Sequence, residues 1–279
     1  MTAPAATSTR RRARRRFNRT NPLLVNALRL AVLVAFLLLW ERFAGPRDDP
    51  SAFLDEFYVS KPSAIWRSIT SWLDQGILFS SIAVTLQEAV WGLLIGTGLG
   101  LVAGFSLGVS PLLSAVLKPY VTALNSIPRL ALVPLFLLWF GLGISSKLAL
   151  VATIVFFLVF YSTYAGVQDV EQELIDVVRL MGARRIHVHA KVTLPSAMKW
   201  IIEGLRVSVP YSLVAAVTAE MIASNRGMGF LLIRSSGQFN TAGVFGAIVV
   251  LMCVSVVLSA LVSLLERYLL RWKPRNLRR

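Results

Sequence analysis

Long apolar runs alternate with short polar segments over most of the chain. A run of about 18 apolar residues crosses the hydrocarbon core of a bilayer, about 30 Å thick, as a helix. Six such runs are present, at residues 23–40, 82–109, 112–142, 148–164, 201–223 and 242–265. The pattern therefore predicts an all-α fold, a polytopic membrane helical bundle with six transmembrane helices.

The third run is long and contains three prolines, Pro119, Pro128 and Pro134. Proline lacks the backbone N–H that a helix interior needs, so we expect this span to be kinked or broken. The carbonyl groups freed at the break then need neighbouring helices or a wet cavity as partners.

Composition agrees with a membrane protein. Of the 279 residues, 56% are hydrophobic and 15% are charged, whereas soluble domains have roughly 25% charged residues. The net charge is +15, and with the amino terminus inside, 20 of the 29 lysines and arginines fall on the inner side. This is the positive-inside pattern. We therefore predict a multi-pass protein of the plasma or inner membrane with both termini in the cytoplasm.

The spans and charges divide the chain into five segments. We predict a basic cytoplasmic arm, a first transmembrane helix, an extracytoplasmic connector, a core domain and a basic cytoplasmic tail, at residues 1–22, 23–44, 45–81, 82–270 and 271–279. The basic arm has two interpretations, contact with anionic membrane lipid and binding of nucleic acid. Lipid is favoured, so no nucleic-acid partner is predicted.

Two common catalytic motifs are missing from the sequence. It has no Gly-x-x-x-x-Gly-Lys-Ser/Thr phosphate loop and no His-Glu-x-x-His. Its single cysteine, Cys253, excludes a disulfide within the chain and a thiolate metal cage. The two histidines, His187 and His189, would point to different faces of a helix. We predict no catalytic residue, no cofactor and no metal site, so the chain is not expected to be an enzyme.

Every fourth residue in part of the second span is a glycine. The positions are Gly92, Gly96, Gly100, Gly104 and Gly108. Successive members advance about 40° around a helix, so they trace a slowly winding groove that another backbone can approach closely. The partner backbone lies either in the same chain, which is favoured, or in another subunit.

Charges within apolar spans need partners because an unpaired charge is costly there. Glu203 and Arg206 are three residues apart on the fifth span and are predicted to pair within one helix. Glu88 and Glu220 lie near the outer ends of their spans, where each either reaches the membrane surface or lines a polar path. Arg129 follows the proline break, where it either faces an internal cavity that attracts anions or lies at the interface beside the kink.

The polar loop at 168–195 has the charge pattern of a short helix. Acidic residues at 169–176 precede basic residues at 179–185, the order that suits a helix dipole. Gly182 is well placed to end this helix. The Thr-Leu-Pro sequence ending at Pro195 is predicted to act as a stop, with the fifth span beginning at Pro195 or Ser196.

The same loop helix carries an apolar stripe. Its members are Leu174, Val177, Val178 and Met181, which lie at helical spacing. Such a stripe either packs on its own bundle or enters a groove on another protein.

The loop contains Asp176-Val-Val-Arg-Leu-Met-Gly182, nine further residues, and then Val192-Thr-Leu-Pro195. This arrangement resembles the cytoplasmic "EAA" loop of binding-protein-dependent ABC transporter permeases, usually Glu-Ala-Ala-x-x-x-Gly, nine residues, Ile-x-Leu-Pro. The segment 126–143 and three short motifs are similar to the nitrate, sulfonate and taurine permeases; the motifs are Gly204-Leu-Arg206, Ala219-Glu220 and Gly227-Met-Gly229. The resemblance covers roughly residues 60 to 273.

The resemblance implies an ABC importer type I permease fold, also called MetI-like. It implies three protein partners: a cytoplasmic ABC ATPase dimer, which binds the ATP, an extracytoplasmic solute-binding protein, and a second copy of this chain. The loop would seat in an ATPase cleft, and the solute pathway would lie at the interface of the homodimer. The ATPase-coupling residues would be Asp176, Val177, Val178, Met181, Gly182, Leu194 and Pro195.

For the solute, the resemblance points to the sulfonate, taurine or nitrate class. Related permeases also carry pyrimidine precursors of thiamine, so that alternative stays open. A more remote alternative is an ion-coupled secondary transporter, in which Glu88, Glu203 and Glu220 would relay protons or cations.

Overall fold

The computed structural model describes residues 22–45 and 54–269. The predicted basic arm before residue 22, residues 46–53 of the predicted extracytoplasmic connector and the basic tail after residue 269 lie outside the described residues.

The described part of the chain is almost entirely helical. Its α-helices are α1 Pro22–Phe43, α2 Glu56–Val59, α3 Pro62–Asp74, α4 Ile77–Val109, α5 Pro111–Asn125, α6 Val133–Phe140, α7 Ile144–Gln168, α8 Gln172–Leu180, α9 Arg185–Val188, α10 Leu194–Ala223, α11 Met228–Gly237 and α12 Thr241–Leu269. A 3-10 helix, Arg129–Leu132, precedes α6, and a π-helical turn, His189–Thr193, precedes α10. Two short parallel strands, β1 Ala44–Gly45 and β2 Leu54–Asp55, pair beside α1.

Five helical segments in this part of the chain are long and apolar enough to span a membrane. The bent pair formed by α5 with the segment from Arg129 to Phe140, counted as one span, is the sixth. The predicted all-α membrane bundle is therefore confirmed. Helix α4 begins at Ile77, earlier than the predicted residue 82, because the left-handed turn at Gly76 (φ 71°) separates it from α3.

Helix α7 lies at the centre of the bundle, with α4 and α10 packed along it. Val151, Val155 and Val159 of α7 are each 0% exposed. They belong to one apolar core together with residues of α4 and α10, among them Ala89 and Leu213. Because lipid is as apolar as these side chains, close packing rather than escape from lipid holds the helices together.

The five glycines spaced four residues apart in the second span all face α7. A Cβ atom on Gly96 would lie 2.6 Å from the carbonyl oxygen of Ala152, and one on Gly100 would lie 2.7 Å from the carbonyl oxygen of Phe156. The other members that would also meet α7 are Gly92, Gly104 and Gly108. The groove is thus filled by a helix of the same chain, and larger residues would push α4 and α7 apart.

The third span is broken, as its prolines predict. Helix α5 and the segment from Arg129 to Phe140 meet at 84°. Pro128 precedes the 3-10 helix with extended backbone angles, and Pro134 occupies the first turn of α6. Pro119 is accommodated inside α5, so the sharp change of direction occurs at Pro128.

The predicted stop before the fifth span is wrong. Thr193 has helical backbone angles, and a continuous helical segment of 39 residues runs from Arg185 through the π-helical turn to Ala223. Pro195 lies in the first turn of α10. The π-helical turn before it has wider i to i+5 hydrogen bonds, so the helix continues without a hydrogen bond from the nitrogen of Pro195. The loop helix α9 is therefore joined to α10 without a flexible link.

The two ends of the bundle differ. At the cap end, α3, α11 and the start of α12 close over α4, with Leu78, Met228, Leu231 and Ala247 forming a small apolar core. At the connector end, residues 169–193 form α8, α9 and the turns between α7 and α10.

Helix α1 lies apart from the bundle, and none of its membrane window is buried. It is held near the cap end by polar contacts. The Trp40 indole donates to the carbonyl of Ser60 at 3.2 Å, and the Glu41 carboxylate accepts from the hydroxyl of Ser63 at 2.7 Å. The outer face of α1 is thus free to contact lipid.

We expect Gly100→Ala to lower the stability of the chain by about 1–3 kcal/mol, because the added methyl group overpacks the contact with the α7 backbone. Gly98→Ala is the matched control, since a Cβ on Gly98 of the same helix meets nothing within 4 Å. The measurement is the unfolding midpoint of each variant in detergent. Equal midpoints for the two variants would contradict the close contact of α4 and α7.

Candidate functional site

The connector end exposes an apolar surface that we call the connector patch. It consists of Leu174, Val177, Leu180, Met181 and Ile186, all exposed. Leu180 and Met181 are 88% and 81% exposed, although they stand among charged and polar neighbours. No described residue covers these side chains, so in this part of the chain the patch is available to another surface.

The patch differs from the stripe predicted from the sequence. Leu174, Val177 and Met181 lie in it, but Val178 is half-buried on the side of α8 that faces the chain. Leu180 and Ile186 belong to the patch and were missed. Leu180 follows Val177 at helical spacing, which could have identified it. Ile186 joins the patch only because the chain turns between α8 and α9.

Gly182 produces that turn. Its φ is +84°, a conformation that favours glycine, and its N–H donates to the carbonyl of Arg179 at 2.9 Å. A Cβ at this position would meet nothing within 4 Å. The requirement for glycine within the chain is therefore conformational rather than one of space. Asp176, six residues earlier, is exposed and accepts from Gln172 at 3.0 Å.

Leu194 and Pro195 lie at the joint between the connector and α10. Leu194 is half-buried and packs against a small apolar core that contains Val167, Ala197 and Ile201. Pro195 is exposed in the first turn of α10. Both residues are thus placed away from the connector patch, where they fix the base of the connector to the bundle.

Charged residues near the connector end join α10 to α12. Arg206 lies 3.8 Å from Glu203 on its own helix and 2.7 Å from Glu266 on α12. The nearer partner, Glu266, was missed because it lies 60 residues away in the sequence. The interhelical pair is the better aligned of the two and fixes the spacing of α10 and α12.

Arg129 lies at the break in the third span, folded against α7. Its guanidinium group is 5.2 Å from the centre of the Phe157 ring and donates to Asn125. Its Nε atom is buried without a hydrogen-bond acceptor among the described residues. Arg129 is therefore half-buried at a lateral surface of the chain rather than enclosed within it.

Glu88 and Glu220 are buried near the cap end and do not reach the surface of the chain. They are 1% and 0% exposed. Lys147 of α7, which was not singled out from the sequence, lies 2.9 Å from Glu88. Glu220 accepts from the hydroxyl of Thr85 at 2.7 Å and from the N–H of Gly229 at 2.6 Å. This polar cluster joins α4, α7, α10 and the turn before α11, and neither expectation for the two carboxyl groups anticipated it.

Exposed apolar side chains also occur on the broken third span and on the middle of α10. They include Leu112, Leu138, Leu142, Val207, Tyr211 and Val214. Arg129 lies in the third span, at its break. In a bilayer such side chains contact either lipid or another protein.

The chain is similar to known proteins over most of its length. A family model described as "Binding-protein-dependent transport system inner membrane component" matches residues 96–272. The putative aliphatic sulfonates transport permease protein SsuC of Bacillus subtilis (strain 168) is 34% identical over 198 residues, covering 71% of this chain and 72% of that protein. The taurine transport system permease protein TauC of Escherichia coli (strain K12) is 33% identical over 196 residues, covering 70% of this chain and 71% of that protein.

A solved structure has a similar fold. A chain of the MetNI methionine ABC transporter in an inward-facing conformation aligns with a TM-score of 0.57 at 16% identity, covering 71% of this chain and 97% of that chain. The predicted MetI-like arrangement of helices is therefore confirmed.

Proposed function

Because the chain belongs to the family of binding-protein-dependent transport system inner membrane components, we propose that its partners, orientation and solute are those of an ATP-binding cassette importer. The chain itself is the membrane-spanning permease subunit. Its sequence has no phosphate loop, so ATP is bound and hydrolysed by a separate ATPase dimer.

The connector patch carries this proposal. Leu180 and Met181 are more than four-fifths exposed, yet they stand on a polar segment with Arg179, Arg184 and Arg185 that does not enter lipid. Exposed apolar side chains at helical spacing are typical of a helix that binds in a groove of another protein. In an importer of this class the groove belongs to the ATPase, and α8 is the coupling helix.

The orientation follows from charge. The excess of lysine and arginine lies at the connector end and at both termini, so we place these in the cytoplasm. The connector patch then faces the compartment that contains ATP, and the cap end faces outward. A solute-binding protein outside the membrane delivers the solute at that end.

The helical joint between α9 and α10 explains how ATPase movement reaches the membrane. Residues 185–223 form one helical segment. Because no flexible linker separates the connector from α10, a displacement of the connector moves α10 by a similar amount. Gly204 of α10 packs against Ser162 of α7, where a Cβ would approach to 2.5 Å. Helix α7 therefore moves with α10.

A second copy of the chain completes the transporter. Each chain presents one connector patch, and an ATPase dimer offers two grooves. The exposed apolar side chains of the third span and α10 supply the surface for the second copy. The pathway then lies between the two copies, with Arg129 of each chain beside it.

The solute is proposed to be a small molecule of the sulfonate, taurine or nitrate class, each of which has an anionic group. The two relatives described above are named for aliphatic sulfonates and for taurine. A positive charge at Arg129 beside the pathway favours solutes that have an anionic group.

We expect Leu180→Glu to lower ATP-dependent uptake by about tenfold or more, because a carboxylate would be buried unpaired in the ATPase groove. Leu180→Met is the matched control, since it keeps an apolar side chain at the same position. Uptake and ATPase activity are measured on the assembled transporter in vesicles. Both variants should insert in the membrane normally, because Leu180 is not buried within the chain. Equal loss of uptake in both variants would contradict the assignment of the connector patch as the ATPase contact.

For the solute, we expect deletion of this chain to abolish growth on an aliphatic sulfonate or taurine as the only sulfur source. Re-expression of the chain should restore growth, and uptake of labelled taurine should be inhibited by other sulfonates. If the deletion strain grows normally on sulfonates but loses growth on nitrate or on a thiamine pyrimidine precursor, the sulfonate assignment is wrong and that other solute takes its place.

A further inference from the structure

The polar cluster at the cap end contains more negative than positive groups. We define it as Thr85, Glu88, Lys147, Glu220 and Ser224. Its ionisable members are two carboxyl groups and one ammonium group, and all three are at least nine-tenths buried. With both carboxyl groups ionised, the cluster would hold one uncompensated negative charge inside a membrane bundle. Such a charge is strongly unfavourable.

The hydrogen bonds show where the imbalance lies. Oε1 of Glu88 accepts from Lys147, whereas its Oε2 is buried and accepts no hydrogen bond from the described residues. The carboxyl group of Glu220 lies beside the same turn of α4, because it accepts from Thr85, which is three residues before Glu88 and on the same face of that helix. Two ionised carboxylates only accept, so they cannot hydrogen-bond to each other. One proton placed between them supplies the missing donor and also cancels the excess charge.

We propose that Glu88 and Glu220 share one proton, and that the resulting neutral cluster with Lys147 is a positioning site that fixes the 224–229 turn and α11 to the three central helices. The ammonium group of Lys147 donates to the hydroxyl of Ser224 at 2.8 Å. The N–H of Met228 donates to Thr85 at 2.9 Å. Both contacts connect the turn to the bundle.

The turn is built to fit this cluster. Gly227 has a φ of +98°, and a Cβ at Gly227 would collide with the carboxyl group of Glu220. Gly229 is equally close to α10, since a Cβ there would lie 2.8 Å from the Cβ of Glu220. The start of α11 therefore rests directly on the carboxyl pair. The carboxyl pair therefore sets the position of the cap end, which is the outward side under the proposed function.

The shared proton is tested by infrared spectroscopy of the purified full-length protein. A protonated carboxyl group has a C=O stretching band that ionised carboxylates lack. We expect this band in the parent protein and its loss in Glu220→Gln, because Glu88 then pairs with Lys147 and remains ionised. Glu203→Gln is the control, since Glu203 is exposed and lies near Arg206, and it should leave the band unchanged. A parent protein without the band, or a band that survives both Glu220→Gln and Glu88→Gln, would overturn the proposal.

The charge balance is tested with a second set of variants. Lys147→Met leaves Glu88 without its cation, and we expect at least about a tenfold loss of folded protein. Adding Glu88→Gln to Lys147→Met removes the stranded charge and should restore most of the folded protein. If the double variant loses as much folded protein as Lys147→Met, charge compensation is not the role of the pair.

The positioning role is tested by hydrogen exchange and uptake. The amides of Met228 and Gly229 should be protected in the parent and in Glu220→Gln, and should exchange faster in Glu220→Ala. Uptake per folded transporter should fall about tenfold in Glu220→Ala and stay within about twofold in Glu220→Gln. Unchanged exchange in Glu220→Ala would refute the positioning role. The infrared and exchange results do not depend on the solute. They therefore test the polar cluster even if the proposed function is wrong.

Discussion

Five glycines bring the backbone of α4 against α7, and the other helices are placed relative to this pair. Contacts such as that of Gly100 with the carbonyl oxygen of Phe156 leave no room for a side chain. Helix α10 lies on the same central helix, again through small residues, since Gly204 meets Ser162 and Gly166 meets Trp200. Close backbone approach is the main source of helix association where lipid competes equally for apolar side chains.

The close approach of the central helices has a consequence for polar groups. Side chains that face inward between helices so near to each other have no access to lipid headgroups or water, so they must find partners within the bundle. Glu88, Lys147 and Glu220 meet this requirement at the cap end. Their enclosure speaks against a relay of protons across the membrane by Glu88 and Glu220, because such a relay needs a continuous polar path and these two side chains are only 1% and 0% exposed.

Much of the fold could be predicted from the sequence, because spans, breaks and glycine spacing are local signals. The six apolar runs, the break at Pro128 and the groove along α4 follow from hydropathy and from the chemistry of proline and glycine. Features that depend on distant residues could not be predicted. The pairing of Lys147 with Glu88 and of Arg206 with Glu266 joins residues about 60 positions apart. The π-helical turn was missed because Pro195 was assumed to end a helix, although at a first turn it does not.

Helix α10 connects the two sites of the chain. Its amino-terminal end continues from the connector through the π-helical turn, and Glu220 of the polar cluster lies in its last turn. A movement imposed on the connector at one end is therefore opposed at the other by the contacts of Glu220 with Thr85 and Gly229. If these contacts hold the cap end fixed, the segment must pivot about its outer end, and the largest displacement occurs near the connector. Pivoting of this kind opens the bundle toward the connector end while the cap end keeps its shape; with the connector in the cytoplasm, as proposed above, this is the movement that an inward-opening pathway requires.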